Sequence, residues 1–253
     1  MTVLQVRNLH KSFGGVHAVS DVSFSVSAGE LLAVIGPNGA GKTTCFNLVN
    51  GQLAPDSGSI ELQGRSLVGK APREICRYGV GRTFQLTATF GSMSVRENVQ
   101  VALLSHARML GSFFSSLEKK SHNETYKLLE QIGMHSQADR PCAELAYGDL
   151  KRVELAMALA SQPRLLLMDE PTAGMAATER NDLMQLTADL ARDSSVAVLF
   201  TEHDMEVVFR HADRVIVLSE GALIAQGTPA EVRADPMVRQ VYLGDPNPES
   251  GHA

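Results

Sequence analysis

The sequence predicts an α/β fold, in which a mostly parallel β-sheet with an antiparallel β edge carries an inserted α-helical subdomain. The first observation behind this prediction is a glycine-rich segment that follows the apolar run 31–35 and precedes a helix-like stretch at 45–49. The second is a set of further apolar runs, each as long as a buried parallel strand, at 164–170, 195–201 and 214–219. The third is a change to helical spacing between residues 94 and 161.

We therefore expect three units along the chain. An α/β core would be built from two separate stretches, 1–88 and 162–244, and the helical subdomain would be 89–161. Residues 245–253 are polar and rich in proline, which is typical of a flexible tail.

Composition argues against several classes of protein. With 253 residues, 44% hydrophobic and 20% charged, the chain can bury a sizeable core and is not expected to be disordered. Its longest apolar runs are far shorter than the ~18 residues that cross a bilayer, and residues 1–10 do not resemble a signal peptide, so we expect a cytosolic protein. A net charge of -5 argues against a general nucleic-acid binder. Cys45, Cys76 and Cys142 lack metal-type spacing and are expected to be free thiols.

The antiparallel edge is predicted from both ends of the chain. Residues 3–9 and 22–26 alternate apolar and polar side chains, as strands with one buried face do, and 11–15 would form the turn between them. Near the other end, Glu220-Gly221 would join two short strands as a hairpin.

The glycine-rich segment has the spacing G-x-x-x-x-G-K-[ST] between a strand and a helix, which is typical of a phosphate loop. Its residues are Gly36, Pro37, Asn38, Gly39, Ala40, Gly41, Lys42, Thr43 and Thr44. Glycines allow close backbone approach, and the amides and dipole of the new helix attract anions, so the fold class is a phosphate-loop NTPase core. Lys42 would reach the β- and γ-phosphates of ATP, and the Thr43 hydroxyl would bind Mg²⁺. The alternative is a glycine-rich turn without a ligand.

Two further residues are candidates for nucleotide contacts. Phe13, near a predicted turn, could stack on an adenine ring or plug the core. Gln85 ends the predicted strand 80–85, and its amide could contact Mg²⁺ or its water and report the γ-phosphate, although a glutamine there could also be surface filler.

Acidic and imidazole side chains follow the later strands. Asp169 is placed to hold Mg²⁺ through water, and Glu170 could accept a proton from the attacking water. His203 also follows a core strand, and ligands bind at the carboxyl ends of strands in open α/β sheets. A solvated turn is the alternative for the two acids, and a structural role is the alternative for the histidine. Gly148, at the mouth of a helix, predicts a second anion-facing helix end.

From Phe13 to Leu243 these motifs resemble, in order, those of ATP-binding cassette (ABC) ATPases. The segment 145–149 carries most of the resemblance, because phosphate loops occur in many NTPases but this signature helix does not. The resemblance implies that Phe13 stacks on adenine, Gln85 senses Mg²⁺ and water, Glu170 is the general base and His203 contacts the γ-phosphate. It also implies a dimer, homomeric or heteromeric, because Ala146, Tyr147 and Gly148 would face ATP bound by a second cassette.

Three positions depart from the family pattern. Ser is common where Ala146 stands and Gln where Leu150 stands, so a hydroxyl toward the partner's phosphate is missing. One such neutral hydrogen bond is worth roughly 0.5–1.5 kcal/mol, so we expect weakened closure at most. Asp or Asn is usual where Ala176 stands, which removes a polar contact between subunits and bears on the coupling of the two sites.

Within this family the helical insertion, the segment 201–206 and the ending 241–244 resemble ATPase subunits of bacterial branched-chain amino-acid importers. Cassettes for urea and short amides and for lipopolysaccharide export are similar in pattern. The resemblance implies integral-membrane permeases as partners, a solute-binding protein acting indirectly, and a peripheral location on the cytoplasmic face of the inner membrane. The docking surface would lie around 87–95, where Phe90 could receive a short permease helix, and the alternative for this segment is an ordinary flexible linker.

Two alternatives belong to other classes. A soluble cassette acting on DNA or ribosomes usually has coiled-coil insertions or two cassettes, neither of which fits a single phosphate loop in 253 residues. A phosphate-loop kinase is disfavoured by the signature helix and by a glutamate placed to activate water.

Overall fold

The computed structural model describes residues 1–83, 89–106 and 115–243. In these ranges the strands are β1 (Thr2–Phe13), β2 (Val16–Ser27), β3 (Leu31–Ile35), β4 (Ser57–Leu62), β5 (Arg65–Ser66), β6 (Val80–Arg82), β7 (Leu165–Asp169), β8 (Ala197–Thr201), β9 (Arg214–Ser219) and β10 (Ala222–Gly227). The helices are α1 (Lys42–Val49), α2 (Pro72–Tyr78), α3 (Val95–His106), α4 (Ser115–Gln131), α5 (Tyr147–Leu159), α6 (Ala177–Ser194), α7 (Met205–His211), α8 (Pro229–Ala234) and α9 (Pro236–Val238).

The central sheet has the strand order β10-β9-β3-β8-β7-β6. Strands β9, β3, β8, β7 and β6 pair in parallel, and β10 pairs antiparallel with β9 at the edge. Every residue of β3, β7 and β8 is buried, which explains why their sequences are continuous apolar runs rather than alternating ones. The predicted fold class, a mostly parallel sheet with an antiparallel edge, is confirmed.

The N-terminal strands form a second, antiparallel sheet with the order β2-β1-β4-β5. Its apolar face packs on the central sheet and on α1, where Leu4 and Val22 join one cluster with Leu32 and Phe46. The first strands are longer than the sequence predicts, because pairing continues past Lys11, and only Gly14-Gly15 forms the turn instead of 11–15. A strand can remain paired where its side chains are polar and exposed. The point at which the apolar alternation stops is therefore not the end of the strand.

The helices α3, α4 and α5 lie between β6 and β7 in the chain and pack on one another. Val99, Leu103, Leu129 and Val153 from these helices share one buried cluster. The predicted helical segment is therefore present. Within the described ranges, no helix combines the length and the apolar character that crossing a bilayer requires.

The predicted hairpin after the last parallel strand is also present. Glu220 and Gly221 have φ values of 47° and 81° and connect β9 to β10. This hairpin lies beside the phosphate loop, because Gly221 N–H donates to the carbonyl of Ala40 over 3.2 Å.

Candidate nucleotide-binding site

The predicted phosphate loop connects β3 to α1, as its motif requires. A Cβ atom at Gly36 would collide with the carbonyl oxygen of Leu218, and one at Gly41 would collide with the carbonyl oxygen of Ala18. Gly41 also has a φ of 101°, a left-handed conformation that favours glycine. The loop therefore needs glycine at both positions, where the two sheets approach it.

The N-terminus of α1 is open to an anion. Gly41 occupies the capping position and supplies no side-chain acceptor, and the first turn contains no acidic residue. The first amides of a helix lack intrahelical partners, and the helix dipole adds partial positive charge at this end. A phosphate group is suited to both properties.

Lys42 folds back over the loop. Its Nζ donates to the carbonyl oxygens of Gly36 at 2.7 Å and Pro37 at 3.1 Å, and the residue is only 7% exposed. Burial lowers the pKa of Lys42, while the charges of Glu170 and Asp169 oppose that shift. The amine is thus held at the loop, close enough to both acids for electrostatic interaction.

A cleft of about 200 Å³ lies over the loop. Its lining residues come from four parts of the fold: Ala18, Asn38, Gly39, Ala40, Gly41, Lys42, Thr43, Thr44, Glu170 and His203. The structure thus brings the predicted loop together with two side chains more than a hundred residues away. Ala18, in β2, was not predicted, because a lone alanine in a strand carries no chemical signal.

Asp169 is the last residue of β7, and its carboxylate is held on both sides. Oδ1 accepts a hydrogen bond from Thr201 Oγ1 at 2.8 Å, and Oδ2 lies 3.5 Å from Arg82 Nη2. Arg82 in turn donates to Asn47 and Gln52, which ties β6 to the end of α1. Thr201 and Arg82 were not predicted, because only the strand order shows that they border Asp169.

Glu170 has a left-handed backbone, with a φ of 49°. Its N–H donates to the carbonyl oxygen of Thr201 at 3.2 Å and to Thr201 Oγ1 at 3.0 Å. Its Oε1 lies 2.7 Å from His203 Nε2. Because a carboxylate can only accept, Nε2 carries the proton in this contact. The predicted base and the predicted histidine therefore meet in the cleft.

This geometry agrees with a comparison against known protein families. A family model described as ABC transporter matches residues 19–173, which contain the phosphate loop, Asp169 and Glu170. The chain belongs to the ABC transporter family. A second model, described as branched-chain amino acid ATP-binding cassette transporter, matches residues 222–246.

Individual relatives support the same assignment. The high-affinity branched-chain amino acid transport ATP-binding protein LivG of Salmonella typhimurium is 39% identical and covers 96% of this chain and 98% of its own. The lipopolysaccharide export system ATP-binding protein LptB of Acidithiobacillus ferridurans is 37% identical over 96% of this chain and 97% of its own. A solved ATP-binding cassette of an ABC transporter, in its ADP conformation, superimposes with a TM-score of 0.84 at 30% identity, covering 97% of this chain and 100% of the other. This ABC protein is therefore an ATP-binding, ATP-hydrolysing subunit.

In this ABC ATPase, Phe13 is the last residue of β1 and is 47% exposed. Lys11 Nζ lies 5.4 Å from the centre of its ring. Such exposure rules out the core-plug alternative and leaves a ring face that an adenine can reach.

The signature helix α5 begins one residue before Gly148, and Ala146 is its N-cap. Ala146 makes no side-chain cap bond, so the missing hydroxyl noted in the sequence is not replaced by another group of the cap. Gly148 is buried, and a Cβ there would lie 3.1 Å from Glu179 Oε1. Tyr147 is 40% exposed. None of the three residues lines the cleft of its own chain.

Gln85 lies outside the described residues, so its predicted role as a sensor of Mg²⁺ and the γ-phosphate stays a prediction. The strand before it is shorter than predicted, since β6 ends at Arg82 instead of continuing through 80–85 in the described part. Thr83 N–H still donates to the carbonyl of Leu167 at 3.0 Å.

Proposed function

We propose that this ABC ATPase powers the uptake of branched-chain amino acids through separate membrane permeases, using the cleft over the phosphate loop to hydrolyse ATP. The observation that carries the catalytic part is the 2.7 Å contact between Glu170 Oε1 and His203 Nε2 beside that loop. In the proposed mechanism Glu170 takes a proton from the attacking water, and the loop amides, Lys42 and His203 bind the phosphates whose charge develops. Phe13 stacks on the adenine.

Mg²⁺ fits the same site. Thr43 lines the cleft, and Asp169, a residue only 9% exposed, ends the strand β7 directly before the cleft residue Glu170. Oxygen ligands from a hydroxyl, a carboxylate and phosphates are the ligands that Mg²⁺ prefers, and it retains several waters. We assign Thr43, Asp169 and Gln85 to its coordination shell, directly or through water. When bound, the ion would neutralise charge on the β- and γ-phosphates.

The working unit is a dimer of cassettes. Ala146, Tyr147 and Gly148 stand at the N-terminus of a 13-residue helix but do not line the cleft of their own chain. Ala146 and Tyr147 are exposed, and a helix N-terminus is suited to an anion, so this end would contact the γ-phosphate of ATP held by the second subunit. A single chain would then bind ATP but lack one side of the catalytic site.

The chain is divided into three units in this proposal, and they would couple ATP hydrolysis to a partner. We propose a core of 1–88 and 162–244, a helical subdomain of 89–161, and a flexible tail of 245–253. The contacts among α3, α4 and α5 support the helical unit, which is inserted between two strands of the central sheet. The tail lies outside the described residues.

The permease would dock around 87–95, at the start of the helical subdomain. Phe90 is 53% exposed although its backbone is firmly held. Its N–H donates to Asn98 Oδ1 at 2.7 Å, and Asn98 Nδ2 donates back to its carbonyl at 3.1 Å. An exposed aromatic ring on a fixed backbone is suited to receiving a short helix from a partner. Residues 87 and 88 lie outside the described part.

Similarity supports the choice of solute. The C-terminal match at 222–246 and the likeness to LivG favour branched-chain amino acids over lipopolysaccharide export, urea or amides. In this proposal the permeases and an indirectly acting binding protein select the solute. Because the chain docks on those permeases, its location would be peripheral, on the cytoplasmic face of a bacterial inner membrane. Nucleic acid is not an expected partner.

Phe90→Asp tests this proposal. A charge on the docking face should abolish co-purification with the permeases and leucine uptake by cells, while ATP hydrolysis by the purified chain persists. Met237→Asp is the matched control, because Met237 is 52% exposed and lies in α9. Continued permease binding by Phe90→Asp would rule out this surface. Absence of permease association in the unmodified protein would favour a soluble cassette, and association with export permeases would favour the lipopolysaccharide alternative.

A further inference from the structure

The last residue of β8 and the two that follow it hold the segment that contains Asp169 and Glu170. Thr201 donates to Asp169 and accepts from the backbone of Glu170, and His203 contacts the Glu170 carboxylate. Glu202, between Thr201 and His203, accepts hydrogen bonds from Thr172, two residues beyond Glu170. The end of β8 thus contacts the last residue of β7, Asp169, and two residues of the loop after it, Glu170 and Thr172.

Glu202 is the most buried of the three carboxylates in this region, at 3% exposure, against 9% for Asp169 and a half-buried Glu170. Its Oε1 accepts hydrogen bonds from Thr172 N–H at 2.9 Å and from Thr172 Oγ1 at 2.7 Å. Its Oε2 accepts from His203 N–H at 3.2 Å. One side chain therefore links the backbone of the histidine to the loop beyond the catalytic glutamate.

A carboxylate in this position is costly unless its partners are well placed. Burial raises the pKa of Glu202, and the hydrogen bonds from Thr172 and His203 act in the opposite direction. Thr172 is itself 2% exposed, so removing the carboxylate would leave buried donors unpaired.

We propose that Glu202 is a positioning residue for ATP hydrolysis, joining His203 to the loop that starts at Thr172 so that the two move as one unit. This inference rests on the proposed roles of Glu170 and His203. The loop ends at Ala176, the N-cap of α6, so a displacement of Thr172 bears directly on the start of that helix. A movement of His203 on contact with a γ-phosphate would thereby be transmitted to the loop between Thr172 and Ala176.

Two substitutions each remove one hydrogen bond of this link, at opposite ends. Glu202→Gln keeps the shape and can still accept from Thr172, but its NH₂ group then faces the N–H of His203, and two donors cannot bond. Thr172→Val keeps the volume and the N–H but removes the hydroxyl that donates to Oε1. Thr172→Ser retains both donors and should restore wild-type behaviour.

A matched control is available in α6. Thr187 is 1% exposed and donates its hydroxyl to the carbonyl of Leu183, within its own helix. Thr187→Val therefore removes an equally buried threonine hydroxyl without touching Glu202. Thermal unfolding of each variant shows how far a change in turnover reflects lost folded protein.

The experiment is steady-state phosphate release by the purified full chain with MgATP. We expect Glu202→Gln and Thr172→Val each to lower kcat roughly tenfold, with KM for ATP within about twofold of wild type, because a single charge-assisted hydrogen bond is lost. The double variant should also fall about tenfold and not a hundredfold, because Glu202→Gln already breaks the link that Thr172→Val weakens. Thr172→Ser and Thr187→Val should hydrolyse ATP at the wild-type rate.

Three results would each overturn the proposal. The first is a hundredfold fall in kcat of the double variant, and the second is an unchanged kcat in both single variants. The third is a fall in turnover that tracks the fall in Tm in all variants, including the control Thr187→Val. A Glu170→Gln variant measured alongside separates the two levels. If Glu170→Gln retains turnover, the proposed catalytic roles fail. If it is inactive while Glu202→Gln is normal, only the role of Glu202 fails.

Discussion

At the scale of single residues, Glu170 provides the sharpest test of the catalytic site. Glu170→Gln keeps the size of the side chain and removes the base, a role typically worth ~10²–10⁴-fold in rate. We expect the variant to bind MgATP normally, lose nearly all phosphate release and accumulate as an ATP-bound dimer. Gel filtration with ATP and a phosphate-release assay measure both effects.

The control is Glu130→Gln, which makes the same chemical change at an exposed position in α4. It should retain wild-type turnover. Near-normal turnover in Glu170→Gln would remove that residue from the role of base.

Lys42 should determine nucleotide affinity instead. Its Nζ donates hydrogen bonds to two loop carbonyl oxygens, and in the proposed complex phosphate oxygens would accept these bonds instead. Lys42→Ala deletes a charged donor, and such hydrogen bonds are worth ~1.5–3 kcal/mol, so ATP should bind roughly 10- to 100-fold more weakly. Equilibrium binding of ATP measures the change.

Lys70→Ala, at an exposed lysine outside the site, serves as its control. Unchanged ATP affinity in Lys42→Ala would show that the phosphates bind elsewhere on the chain.

The sequence predicts these residues because each belongs to a local pattern. The phosphate loop has its own motif, and Asp169, Glu170 and His203 lie at or just after the ends of apolar strands, which makes them candidates from the sequence. Arg82, Thr201 and Glu202 could not be found in this way. Their partners lie 30 or more residues away, and only the pairing of β6, β7 and β8 brings them together.

At the scale of elements, the start of α5 allows a test of dimer closure. Ala146→Ser would supply the hydroxyl that the N-cap lacks. If that hydroxyl reaches the γ-phosphate in the partner, the ATP-bound dimer should gain about 1 kcal/mol, roughly fivefold in its association constant. Sedimentation in the Glu170→Gln background measures the constant without hydrolysis.

A serine at an N-cap also stabilises its own helix, by ~0.5–2 kcal/mol, and a control must separate the two effects. Ala71, the N-cap of α2, has nearly the same backbone, with φ −69° and ψ 149° against −64° and 154°, and also lacks a side-chain cap bond. Ala71→Ser should raise Tm and leave the dimer constant unchanged. An equal dimer constant for Ala146→Ser and Ala146 would mean that the helix end already satisfies the phosphate.

Elements were predicted best where burial is complete. The runs of β3, β7 and β8 are buried on both faces, so their apolar sequences mark their extent. Strands β1 and β2 extend beyond their alternating segments because cross-strand hydrogen bonds continue where side chains are exposed. The N-terminal strands form a sheet of their own, and this sheet packs on residues of β3 and α1. Local sequence patterns do not show such contacts between distant segments.

At the scale of the whole molecule, the three cysteines report different degrees of opening. All three are free thiols, as predicted; Cys76 is exposed, whereas Cys45 and Cys142 are 1% and 0% exposed. Burial raises the pKa of Cys45 to about 12 and also raises that of Cys142, so neither forms thiolate near neutral pH. We expect one thiol per chain to react rapidly in the native protein and three after unfolding in urea.

Nucleotide adds a second readout to the same measurement. Cys45 lies in α1, directly after the phosphate loop. Ligand at 100 times its Kd stabilises the folded state by ~2.7 kcal/mol, so MgATP should slow the reaction of Cys45 by up to roughly a hundredfold and leave Cys76 unaffected. Rapid reaction of Cys45 with ATP bound would contradict the packing described for α1. Mass spectrometry of the labelled peptides distinguishes the sites.

The left-handed backbone of Glu170 has an evolutionary consequence. A residue other than glycine at a φ of 49° is typically strained by about 1–3 kcal/mol, and asparagine tolerates this conformation better than glutamate. Selection for heat resistance alone would therefore favour replacing this glutamate, as it would other non-glycine residues with positive φ such as Gln63 and Gln162. Directed evolution of a thermostable form therefore needs a screen for turnover in every round, because one of the available stability gains lies at the proposed general base.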